Sequence, residues 1–167
     1  MSERVVPSID ALLALLHAAE LPFVVVGGVA ALAHGAGMAT QDLDIVMPME
    51  PALLDRLLEA LAPYSPRHAL RRDLGPIRQD GRVLSGFRMV LIETDLGRLD
   101  VIGEVPPVGR FEDLATLDVN LVGDHMTRVV TLEQLIAIKE RAGRPKDLIA
   151  VRVLRALLAT RDGLEGG

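Results

Sequence analysis

The chain has no cysteine and no tryptophan, and its 167 residues include only one tyrosine and three phenylalanines. Without thiols there are no disulfides and no thiolate metal ligands, and the composition suits a reducing compartment. With so few rings, the core has to be built from Leu, Val, Ile and Ala, because half of the residues are hydrophobic. No run approaches the ~18 to 20 apolar residues that a membrane span needs. The opening MSERVVPSID lacks the charged-then-apolar order of a secretory leader. These absences predict a cytoplasmic protein with no membrane segment.

What is present is one domain's worth of chain, 1–167, long enough to bury a core without staples. The net charge of −5 argues against a protein that simply coats nucleic acid. Basic residues are nevertheless unevenly placed. Arg67, Arg71, Arg72, Arg78, Arg82 and Arg88 crowd the middle, and Arg141, Arg144, Lys146, Arg152 and Arg155 lie near the end. Such a run suits either a polyanion or a solvated, charge-balanced face.

Hydrophobic spacing predicts a helix over 9–19, then a buried β-branched strand at Phe23–Val26 that stops at Gly27-Gly28. The small apolar VAALAH reads as a helix packed closely on a sheet, and Asp42–Met47 as a second strand. PALLDRLLEALA is amphipathic and begins on Pro51, a favourable first helical residue. The stretch 64–84 reads as loop with one short strand. Two hairpins are predicted: one joins 86–94 to 98–103 through Asp95-Leu96-Gly97, and one turns near Gly123-Asp124. Thr131 is expected to cap a helix ending near Gly143, with Glu133 or Gln134 reaching back to it. A last helix is expected from Pro145 to about Thr160, followed by a frayed DGLEGG tail. The fold class that fits is α/β (α+β), a mixed sheet flanked by helices. Its core spans about 9–130 and a helix pair spans about 131–160.

Three pieces carry chemistry. Gly27-Gly28 sits between a strand and a helix, where the absence of side chains lets backbone N–H groups approach an anion. In Asp42-x-Asp44 the two carboxylates are i and i+2 of a strand, so they project from one face. Two like charges so placed repel unless a cation lies between them. Asp100, inside the apolar run Leu99–Ile102, needs a partner or a site. If its strand neighbours that of Asp42, three carboxylates converge, and an all-oxygen set suits Mg²⁺ (or Mn²⁺).

The run VVVGGVAALAHG…TQDLDIVM with the later LDVI resembles the nucleotidyltransferase superfamily of the DNA polymerase beta type. The closing LEQLIAIKERAGRPKDLIAVRVL is similar to small bacterial nucleotidyltransferases related to abortive-infection toxins. The resemblance implies an enzyme that moves a nucleoside monophosphate from an NTP to a hydroxyl of a tRNA end, a protein or a small molecule. It also implies a defence or toxin–antitoxin setting with a cognate partner. By the same resemblance Gly27 and Gly28 form the phosphate-binding turn, and Asp42, Asp44 and Asp100 bind metal, with Asp100 helping to deprotonate the acceptor. Lys139, Arg144 and Lys146 fall at basic positions facing triphosphate or acceptor, and Asp147 orients one of them. The sequence departs from the pattern at Gly28, where many members carry a serine whose hydroxyl touches a phosphate.

Other chemistries find no support. There is no Gly-x-x-x-x-Gly-Lys-Ser/Thr loop and no Ser-His-Asp arrangement. His17, His68 and His125 lack metal-ligand spacing, and His34 reads as a helix-surface or capping residue. Two rival readings remain: a nucleotidyltransferase-fold interaction module with little or no catalysis, and a metal-binding domain that hydrolyses phosphate esters.

Overall fold

The computed structural model describes residues 8–37 and 39–166. The leader-free reading of residues 1–7 lies outside that range, as does the last glycine of the tail. Helix α1 (Ile9–Ala18) starts at Ser8, whose hydroxyl accepts the Ala11 N–H at 3.3 Å. Strand β1 (Val24–Val26) leads directly into α2 (Gly27–Ala33). Strand β2 (Asp42–Val46) follows, then α3 (Pro51–Leu61), β3 (Arg67–His68) and the single turn α4 (Gly81–Leu84). The predicted first hairpin is β4 (Met89–Thr94) and β5 (Gly97–Ile102). A small hairpin of β6 (Glu104–Val105) and β7 (Gly109–Arg110) surrounds Pro106-Pro107. The second predicted hairpin is β8 (Thr116–Val122) and β9 (His125–Val130), before α5 (Leu132–Ala142) and α6 (Pro145–Glu165).

Seven strands form one mixed sheet in the order β3-β4-β5-β2-β1-β9-β8. Pairing is parallel at β1/β9 and β2/β5 and antiparallel elsewhere. Both β2 and β5 alternate. Leu43, Ile45, Leu99 and Val101 are fully buried in a core shared with Leu12, Leu13 and Leu16 of α1 and Leu54, Leu57 and Leu61 of α3. That apolar packing fixes the register, because a slip of one residue would turn the aspartates into the core. The aspartates are therefore left on the opposite face, where α2 packs against β1, β2 and β9 and α5 packs against α2. No helix among the described residues is long and apolar enough to cross a membrane.

Three local expectations need correction. The stretch 64–84 contains the one short strand expected, but also the helical turn α4. It forms because the Asp80 carboxylate accepts the Val83 N–H at 3.0 Å and Asp55 accepts the Gly81 N–H at 2.6 Å. Thr131 does cap α5, but neither following residue reaches back to it. Gln134 instead accepts the Ala115 N–H at 2.8 Å, and Glu133 pairs with Arg161. That same pair ties the end of α6 to the start of α5, and the helix continues to Glu165 instead of fraying after Thr160.

The central arginine run is not a uniform basic stripe either. Arg67 pairs with Asp95 at 3.3 Å and Arg71 with Asp73 at 2.7 Å.

Candidate active site

The parallel register of β2 and β5 sets Asp44 opposite Asp100 and Asp42 opposite Arg98. Registered residues of parallel strands share a face about 4.8 Å apart. Asp42, Asp44, Arg98 and Asp100 thus occupy four corners of one patch, and the adjacency expected of Asp100 is realised. Arg98 is a member that sequence reasoning missed. Its Nε donates to Asp100 Oδ1 at 2.9 Å and its Nη2 to Oδ2 at 3.3 Å. The alternation that put Asp42 and Asp44 on one face also put Arg98 and Asp100 on one face, so the signal was available. The pairing that brought Arg98 against Asp42 was not.

Asp44 lies at the centre of this patch. Burial, then the charges of Asp100 and Asp42, and then a hydrogen bond to Asp100 push its carboxyl from the ordinary 3.8 up to about 7. Among the described residues no three His, Asp or Glu side chains stand as a ready ligating set, and Arg98 holds both oxygens of Asp100.

The two glycines are explained by contact. Gly27 has φ +65°, and a Cβ there would lie 2.1 Å from Asp44 Oδ2. Only glycine lets the turn and the carboxylate approach so closely. At Gly28 a Cβ would lie 2.8 Å from Thr40 Oγ1 and 2.9 Å from Thr40 Cβ. The space above the second turn position is therefore filled from the loop before β2, and no side chain fits at 28 without displacing Thr40.

The glycine turn, Thr40, Asp42 and Asp44 form one wall of a cleft of ≈ 290 Å³, and Lys139, Arg144, Lys146 and Asp147 form another. Every candidate residue except Asp100 lines this cleft, and Asp100 adjoins it through Asp44. The basic wall comes from the α5/α6 junction. Gly143 (φ +66°) ends α5, and Arg144 caps α6 with its N–H directed to Asp147 Oδ2 at 3.2 Å. The Arg144 guanidinium also grips Asp147, with Nε 2.7 Å from Oδ2 and Nη2 3.3 Å from Oδ1. Burial works to raise the Asp147 pKa, but these bonds hold the carboxyl below its ordinary value. Asp147 is 3% exposed and holds the Arg144 guanidinium through both oxygens. Burial lowers the Lys139 pKa, while the nearby carboxylates of Asp147 and Asp44 work to keep it charged.

A second hollow of ≈ 740 Å³ meets the first at Thr40 and Asp42, and Asp10, Gln41, Glu93 and Arg98 also line it. The histidines are structural. His34 bonds the Val130 carbonyl at 2.8 Å, His17 bonds Thr127 at 2.8 Å and stacks on His125, and His68 meets Gln79.

No family model matches the chain, and no curated protein matches its sequence. Among solved structures, it is similar to the solution structure of the antibiotic-resistance factor ANT(2'')-Ia. The TM-score is 0.53 at 16% identity, and the match covers 95% of this chain and 92% of that one. The fold is nucleotidyltransferase-like. At this identity the likeness speaks for the fold alone. It includes the mixed sheet and the C-terminal helix pair that carry the two walls of the cleft.

Proposed function

We propose that the protein is a metal-dependent nucleotidyltransferase, which transfers a nucleoside monophosphate from an NTP to a hydroxyl acceptor and releases pyrophosphate. The observation that carries this reading is the register of β2 on β5. It gathers Asp42, Asp44 and Asp100 on one face of the sheet, and the first two line a cleft whose facing wall is basic. The donor set fits a hard divalent cation: every donor is a carboxylate oxygen, and burial together with the charges of Asp100 and Asp42 raises the Asp44 pKa.

In this reading Asp42, Asp44 and Asp100 hold Mg²⁺ or Mn²⁺. The ion, when bound, supplies neutralising charge for the phosphates and lowers the pKa of the attacking hydroxyl. Lys139, Arg144 and Lys146 bind the triphosphate and offset the charge that passes to the departing pyrophosphate. Asp147 keeps the Arg144 fork aimed. The Gly27-Gly28 turn lets the phosphates approach the backbone. The second hollow, opening on the other side of Asp42, receives the acceptor, whose hydroxyl proton Asp100 takes once it is released from Arg98. The hydroxyl oxygen forms the new bond to the α-phosphorus as the bond to the β-bridging oxygen breaks.

A second reading is favoured by the Arg98–Asp100 pair, which occupies the third carboxylate. It is a non-catalytic interaction module of the same fold, such as one half of a toxin–antitoxin pair. Calorimetric titration with each of the four NTPs in Mg²⁺, beside an Asp42→Ala/Asp44→Ala control, separates the two. The enzyme reading expects metal-dependent binding of at least one NTP that the control loses. A folded protein that binds none of them refutes it in favour of the module.

A further inference from the structure

Thr40 belongs to neither strand nor helix and carries no charge, yet it lies where the two halves of the site meet. It lines both hollows, next to Asp42 in each. Its side chain occupies the volume above Gly28, with Oγ1 2.8 Å from the point where a Cβ of residue 28 would stand. Its hydroxyl is half-buried and, among the described residues, makes one hydrogen bond, donated to the Asp42 carbonyl at 3.2 Å. That is long for an O–H···O bond, whose usual distance is about 2.7 to 2.8 Å. A hydroxyl has one hydrogen to give, and this one is weakly committed, facing a cleft whose opposite wall is Lys139, Arg144 and Lys146.

We propose that Thr40 is a nucleotide-binding residue: its hydroxyl donates to a phosphate oxygen of the bound triphosphate, supplying from the β2 loop the side-chain donor that position 28 has no room to carry. This rests on the nucleotidyltransferase reading above. Binding exchanges one acceptor for another. The hydroxyl hydrogen leaves the Asp42 carbonyl for the charged phosphate oxygen, and hydrogen bonds to charged acceptors are the stronger kind. The glycine at 28 and the threonine at 40 then form a single device, with one residue cleared of side chain so that the other can fill the space.

The test compares the wild-type protein with Thr40→Val, Thr40→Ser and the exchange Gly28→Ser/Thr40→Gly, which also removes the Cβ that would stand 2.9 Å from a side chain at 28. NTP affinity in Mg²⁺ is measured by calorimetry, and Mn²⁺ binding without nucleotide is measured in parallel. Val has nearly the shape of Thr without the hydroxyl, so NTP binding should weaken roughly tenfold or more, the range for a lost hydrogen bond to a charged group. Thr40→Ser should keep it. The exchange should recover most of the loss, since it moves the hydroxyl to the opposite wall of the same space. Mn²⁺ affinity should stay unchanged in Thr40→Val. A threonine that merely braces the Asp42 backbone would instead weaken Mn²⁺ and NTP together, and that result overturns the proposal. Equal NTP binding by wild type and Thr40→Val also overturns it, while leaving the parent reading standing. A wild type that binds no NTP overturns both.

Discussion

Asp44→Asn should stabilise the metal-free protein above neutral pH. Asp44 has its pKa raised from 3.8 to about 7 by burial and by the charges of Asp100 and Asp42. A carboxyl with a raised folded-state pKa keeps its proton in the folded form at pH values where the unfolded chain has lost it. Stability therefore falls as pH climbs from 3.8, and the deficit is complete above about 7. At 1.36 kcal/mol per unit, that window corresponds to a deficit on the order of 4 kcal/mol. Of this, about 2 kcal/mol develops between about pH 5.5 and neutrality. Asparagine has the same shape and no charge to lose. Urea unfolding of both proteins, in chelator, at about pH 5.5 and about pH 8.5 reads the effect of Asp44 together with the neighbouring carboxyls it is coupled to. The stability difference, variant minus wild type, should grow by about 2 kcal/mol at the higher pH. Adding Mg²⁺ should then stabilise the wild type and leave the variant nearly unchanged. If the two proteins show parallel pH profiles, the crowding of carboxylates inferred from the β2/β5 register is wrong.

Two further substitutions probe the walls of the cleft. Gly27→Ala forces a Cβ to within 2.1 Å of Asp44 Oδ2 at φ +65°. It should cost about 1 to 3 kcal/mol in urea unfolding and abolish NTP binding, and a neutral outcome would show that Asp44 does not pack on the turn. Asp147→Asn removes the charge that holds the Arg144 fork, so a drop in stability of about 1 to 3 kcal/mol is expected. It should also weaken NTP binding, and binding that is unchanged would mean that Arg144 faces solvent and not the triphosphate.

Much of this site was legible because its chemistry is local. Asp42 and Asp44 share a face by the period-2 geometry of any strand, whatever the strand pairs with. Gly143 and Pro145 announced the break between α5 and α6, and the β-branched run Val24–Val26 announced a buried strand. What was not legible depends on which groups lie beside a segment in space. Gln134 bonds Ala115 instead of Thr131, and α6 outlasts its expected end where Arg161 meets Glu133. In both cases a tertiary partner prevailed over a local cap.

The sequence by itself determined the strands and helices that carry the site, the glycine turn and the shared face of Asp42 and Asp44, because each follows from side-chain size, backbone freedom and periodicity over a few residues. The turn α4 and the β6/β7 hairpin around Pro106-Pro107, read as loop, were not legible. The tertiary structure alone decided that Asp100 stands opposite Asp44, that Arg98 grips Asp100, that Thr40 fills the space over Gly28 and that Lys139 faces the carboxylates. The physical reason is that these neighbours are set by how the shared core closes. Leu43 and Ile45 have to be buried together with Leu99 and Val101 beneath α1 and α3, and the parallel register that achieves this brings the charged faces together.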